Sequence, residues 1–138
     1  MNIYQQGRIF MGRLEKDEDL YQQITKIVRE NEIETGIVKV IGAVQKANIG
    51  YYRQDEKEYI YQQFNQPLEI VSCIGNVSLL EENPMVHAHI ALAAKDGTTY
   101  GGHLGEGTIV FAAEVYIQEV KGDKLRRKFD SETELTLW

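Results

Sequence analysis

Two periodicities divide the chain. Between Leu20 and Val28 the apolar residues Leu20, Ile24, Ile27 and Val28 recur at i, i+4, i+7 and i+8, which lines them up as one stripe of an α-helix. Asp17 is the expected N-cap. The acids Glu18 and Asp19 suit the positive end of such a helix, and Lys26 and Arg29 suit the other end. The helix should stop near Asn31, with Gly36 available for the turn that follows.

Most of the remaining sequence reads as strand. Arg8 to Leu14 alternates around Ile9 and Met11, and Ile37 to Val44 is dense in β-branched residues. Asn48–Tyr52 and Glu58–Phe64 flank a polar turn and predict a hairpin. Leu68 to Leu80 is a long run with Gly75-Asn76 in its middle, read as a bulge or bend. Met85 to Ala93 follows Pro84, where a strand can begin without losing a needed N–H. Asp96-Gly97 is a turn signal before Thr98–Leu104. Ile109–Val120 is another long strand, and Leu135–Trp138 adds a short one. One helix among this many strands predicts an α+β fold: a mainly antiparallel β-sheet with one principal flanking helix.

The length of 138 residues fits a single domain spanning 1–138, large enough to fold without a metal or disulfide. Cys73 is the one cysteine, so no intrachain disulfide exists, and its place in the run IVSCIG predicts a buried thiol acting as a small hydrophobe. No apolar run approaches the ~20 residues of a membrane span. The opening MNIYQQGRIFMGR lacks the layout of a secretory signal, so a cytoplasmic domain is expected.

The net charge is −6, from 15 Lys+Arg against 21 Asp+Glu, which argues against autonomous DNA binding. Residues 121–128, KGDKLRRK, are the exception: five bases and one acid give a local +4 and leave −10 elsewhere. The segment reads either as an anion patch or as a solvated turn, and the turn is preferred.

The chemistry concentrates in 17 residues that hold all three histidines, His87, His89 and His103. His87 and His89 are one residue apart on a strand, so both project from the same face. The Asp96-Gly97 turn brings His103 back beside them. Three imidazoles on one face match an open zinc-type site, in which three protein ligands leave a fourth position for water or substrate. Zn, Ni, Fe and Cu all suit neutral imidazole, and hydrogen-bonded structural histidines are the alternative.

His103 sits in GGHLGEG, where four glycines in seven residues let backbone approach closely. The segment lacks the Lys-Ser/Thr ending of a phosphate-binding P-loop. Glu106 within it is the candidate catalytic residue, a base beside a metal-bound water, with an exposed loop glutamate as the alternative. A cupin-type site would carry a glutamate a few residues after the histidine pair, and HAHIALAAKDG has none. Glu114 lies in the apolar run IVFAAEVYI, with Arg13 as its candidate partner should it be buried. Tyr51, Tyr52, Tyr59 and Tyr61 decorate the middle hairpin, where strand packing or a subunit interface accounts for them better than base stacking.

The order of motifs resembles one family. RIFMGRLEKDEDLYQQITKIVRENEIETGIVKVIGAV is similar to the opening of the plant and prokaryote conserved (PPC) domain. The likeness continues through Gly50-Tyr51-Tyr52, PLEIVSCIGNVSL, HAHIAL and GGHLGEGTIVFAAEVYI, and so covers residue 8 to about 120. The resemblance implies an α+β fold, a homotrimer, and in some members a metal on the histidines that match His87, His89 and His103. Stand-alone prokaryotic members are often called predicted DNA-binding proteins. Plant members add AT-hooks, but no Arg-Gly-Arg-Pro core occurs here.

The resulting expectation is a stand-alone, homotrimeric domain. It binds a divalent transition metal, Zn first, on His87, His89 and His103, and has a regulatory or interaction role. A small metal-dependent enzyme using Glu106 is the alternative. A DNA-binding protein, with weak and non-specific affinity, ranks third.

Overall fold

A computed structural model describes residues 1–138. In chain order the elements are β1 (Gln5–Leu14), α1 (Leu20–Glu30), β2 (Gly36–Arg53), β3 (Glu58–Phe64), β4 (Leu68–Leu80), β5 (Asn83–Ala93), β6 (Thr99–Leu104), β7 (Ile109–Lys121), β8 (Lys128–Phe129) and β9 (Thr136–Leu137). The first seven strands form one sheet in which every pairing is antiparallel. The expected α+β architecture is therefore the one observed.

The centre of the sheet is β2. Its first half lies between β4 and β7, and its second half pairs with β3 and β6. Strands β4, β5 and β6 lead away from β2 and return to it, so four strands close on themselves. Two glycines make this curvature feasible. Gly42 takes φ +136° at a register shift in β2, and a Cβ at Gly102 would stand 2.4 Å from the Gly50 carbonyl where β6 meets β2.

The core fills the inside of this curve. Val38, Val40, Val44, Val77, Val86, Ala88, Ile90 and Leu92 meet Leu20, Ile24 and Val28 of α1, all buried. Each such aliphatic side chain contributes roughly 1.5–3 kcal/mol as an upper estimate. Cys73 is buried there too, and burial pushes its thiol up to about 12, so it is inert at neutral pH.

Several local expectations need correction. The N-cap is Asp19, whose carboxylate accepts the Gln22 N–H, and Asp17 instead lies before the helix at φ 68°. Three acids in a row, Asp17, Glu18 and Asp19, made the cap ambiguous. The segments read as Ile37–Val44 and Asn48–Tyr52 are one unbroken strand, because Gly42 bends β2 without ending it. Gly75-Asn76 is not a bulge: both residues stay in regular register, and the irregularity of β4 lies between Ile70 and Ser72. Glu114 is exposed opposite Arg13, so it needs no buried partner.

Candidate metal centre

Alternation along β5 decides which side chains face inward. Val86, Ala88, Ile90 and Leu92 enter the core, so His87 and His89 stand on the outer face. The register then sets His103 of β6 directly opposite His89. The ring centroids of the three imidazoles lie 5.2, 5.0 and 5.8 Å apart, and one nitrogen from each falls within 4.8 Å of the other two. The sequence-derived trio is thus brought together as a single cluster. A tetrahedral ion at ~2.0–2.1 Å from each nitrogen would draw them inward by roughly 1 Å, within reach of side-chain rotation.

The donor set fits such an ion. His103 Nδ1 is buried and has no hydrogen-bond partner. A buried nitrogen left this way is costly unless something else satisfies it. Protonation is not the remedy. Burial, followed by the nearby His103, Arg127 and His89, pushes His87 down to about 4. Burial, His89 and Arg127 likewise lower His103. Both rings are neutral at physiological pH, which is the form that ligates a metal.

The sequence reading gave Arg127, Asn76 and Tyr59 no role at this site. Arg127, in the basic run expected to be a solvated turn, is buried at 7% exposure. Its Nε donates to Ser78 Oγ at 2.7 Å, one terminal nitrogen to Asn76 Oδ1 at 2.9 Å and the other to the Thr136 carbonyl at 2.9 Å. Asn76 sits directly opposite His87 in the β4–β5 register, which places the guanidinium beside the histidines. Tyr59 packs on His103 with ring centroids 5.1 Å apart, and its proton is held by burial and by the neighbouring Tyr61 and Tyr52. No spacing rule separates Arg127 from its neighbours Arg126 and Lys128, so only the fold could identify it.

The residues after β7 strap this arrangement in place. Leu125 and Arg127 hydrogen-bond to Leu79 at the edge of β4, while the Tyr52 hydroxyl donates to the Thr133 carbonyl and Lys57 pairs with Glu134 at 3.2 Å. The chain thus crosses from β4 to the β2–β3 hairpin beside the histidines. Glu106 lies outside the cluster, exposed in the turn that leaves β6, where its carbonyl accepts from Asn48 Nδ2 at 2.8 Å.

A model of the Plants and Prokaryotes Conserved domain matches residues 1–121. The chain belongs to this family. Among solved structures, a metal-containing protein from Archaeoglobus fulgidus is 41% identical, with a TM-score of 0.94 over 100% of this chain and 97% of that one. A PPC protein from Pyrococcus horikoshii is 38% identical, with a TM-score of 0.92 over 99% and 94%. A Bacteroides thetaiotaomicron protein, described as a candidate for DNA binding, shares the fold at 21% identity and a TM-score of 0.87 over 99% and 96%. A curated relative, the bifunctional protein GlmU of Synechococcus sp. (strain JA-3-3Ab), is 30% identical over 128 residues. That match takes in 91% of this PPC chain but only 19% of the relative.

Proposed function

We propose that this PPC protein is a homotrimer that holds one divalent transition ion, zinc, on His87, His89 and His103 of each chain, and acts as a regulatory or interaction domain. The observation carrying the metal reading is the convergence of three imidazoles within 4.8 Å. The metal-containing relative from Archaeoglobus adds support at 41% identity. A bound ion of this kind supplies Lewis acidity and an exchangeable coordination position. The chain's own residues keep two of the imidazoles deprotonated, and Tyr59 packs on the His103 ring.

The trimer reading rests on the outer face. Directly opposed residues run Met11, Tyr116, Lys39, Ile74, His89 and His103 across six strands, and the next row runs Ile9, Gln118, Ile37, Asn76 and His87. Met11 is 78% exposed, Ile41 56% and Ile74 56%. Exposed apolar side chains gathered on one sheet face, with polar ones between them, support an interface. Elemental analysis of the purified protein should give one zinc per chain, and light scattering should give three chains per particle. Protein that stays metal-free after zinc titration ends the first claim. A monomer across micromolar concentrations ends the second.

The enzyme reading rests on Glu106, which lies outside the histidine cluster, exposed three residues beyond His103. If Glu106 is a base, Glu106→Gln abolishes turnover in a substrate screen while zinc stays bound. An unchanged rate assigns it to the loop alone. DNA is expected to bind weakly and without sequence preference, since the net charge is −6 and the most basic segment spends Arg127, Arg126 and Lys124 on protein partners. Sequence-selective binding at physiological salt would reverse that.

A further inference from the structure

We propose that Arg127 makes the histidine face an oxyanion site, taking a small carboxylate or phosphate between its guanidinium and the ion held by the histidines. A buried cation needs a counter-charge. Arg127 is 7% exposed, yet it enters none of the seven ion pairs of the molecule. All its protein acceptors are neutral: a serine hydroxyl, an asparagine amide and a backbone carbonyl. Burying a charge without a partner of opposite sign costs several kcal/mol even after relaxation, on the order seen when one member of a buried pair is removed.

The same surroundings compound the need. A divalent ion on three neutral imidazoles keeps its full charge, so the cluster and Arg127 would place about three positive charges on one patch. No acid belongs to the cluster to offset them. The guanidinium carries five N–H donors, three of which are used within the protein, and two remain. A planar fork with two spare donors beside an open coordination position suits an oxyanion, because Arg pairs with carboxylate and phosphate bidentately. The geometry also fixes Arg127 from both sides. Asn76 joins it to the strand position opposite His87, and Tyr59, in contact with His103, lies within its electrostatic reach. The guanidinium is thus preorganised, and little side-chain entropy remains to be lost on binding.

The second contact of the anion rests on the metal reading, whereas the Arg127 contact does not. Calorimetric titration of acetate and of inorganic phosphate into the full-length chain, zinc-loaded and metal-free, in low-chloride buffer, tests the proposal. At least one of the two should bind once per chain, more tightly when zinc is present, and the tighter of the two identifies the source. Arg127→Gln should weaken binding about tenfold or more, with zinc content unchanged. Should that variant fail to fold, Arg127→Lys serves, since it keeps the charge but loses the fork, and it should weaken binding by a smaller but measurable factor. Equal affinity in wild type and both variants would assign the anion to the ion alone and overturn the proposal. Zinc-loaded wild type that titrates neither probe also overturns it and leaves the metal reading intact. Anion binding to a chain that takes up no zinc has the opposite meaning: Arg127 stands, and the metal reading falls.

Discussion

The two faces of β5 are made by the same eleven residues and obey different rules. Inward, Val86, Ala88, Ile90 and Leu92 are at most 2% exposed and meet α1 and the other core strands. Outward, His87 and His89 face open sheet, His89 exposed and His87 half-buried. The inner face is held by packing, which is collective and indifferent to pH. The outer face carries imidazoles that respond to pH, and across the strand pair the buried Nδ1 of His103 on β6 has no partner. Stability and chemistry are therefore separated by a single residue step along one strand, and each can be altered with little effect on the other.

The largest expected effect breaks the inner face. Leu92→Ala should cost about 2–5 kcal/mol of unfolding free energy in a urea titration, because it opens a cavity in a closed core, while the surviving folded fraction still takes up metal. The converse comes next. His87→Ala or His103→Ala should abolish stoichiometric zinc by elemental analysis, yet leave the metal-free protein with a cooperative transition shifted by no more than about 1 kcal/mol. A core that melts with the histidines would refute the separation.

pH sharpens the contrast. The His87 ring titrates at about 4 in the folded chain against 6.5 unfolded, so between those values the unfolded chain binds a proton that the folded one refuses. Metal-free protein should be fully stable above about 6.5 and lose stability as pH falls toward 4, and His87→Gln should remove most of that slope in thermal scans. With zinc present, proton competition at this ligand should begin well below 6.5, so metal release lags behind that of an ordinary histidine. The smallest effect lies far from the site. Hydrogen bonds from Arg8 hold the Glu119 carboxyl at about 2, below its usual 4.5, a contribution present above 4.5 and lost as pH drops toward 2. Glu119→Gln should flatten the acid limb over that window and lower the neutral-pH stability by the same amount, which is small because Arg8 is half-exposed.

How much of this was legible in the sequence depends on the range of the interaction involved. Helix α1 was readable because the periodicity of Leu20, Ile24 and Val28 is local, and the long strands were readable for the same reason. The histidine cluster was readable because one turn joins its two strands. What failed was decided at a distance. The interval between Val44 and Asn48 looked like a break between two strands, but β2 runs through it because β7 pairs before it and β3 after it. Arg127 looked like one base among several, and its burial depends on Ser78 and Asn76, about fifty residues earlier. Charge runs are read as solvated because most are, and no local rule finds the member that turns inward.

The strap that carries Arg127 also orders events in time. A ribosome releases the chain from its amino end, so Asn76, Ser78, His87, His89 and His103 are all synthesised before Arg127. Strand β7, which fills the place between β1 and β2, likewise precedes it. The imidazole face can therefore assemble and meet an ion while its arginine is still in the exit tunnel. On the proposed metal reading, loading can precede closure, and a nascent chain paused after β7 should capture zinc before it has acquired any means of holding an anion.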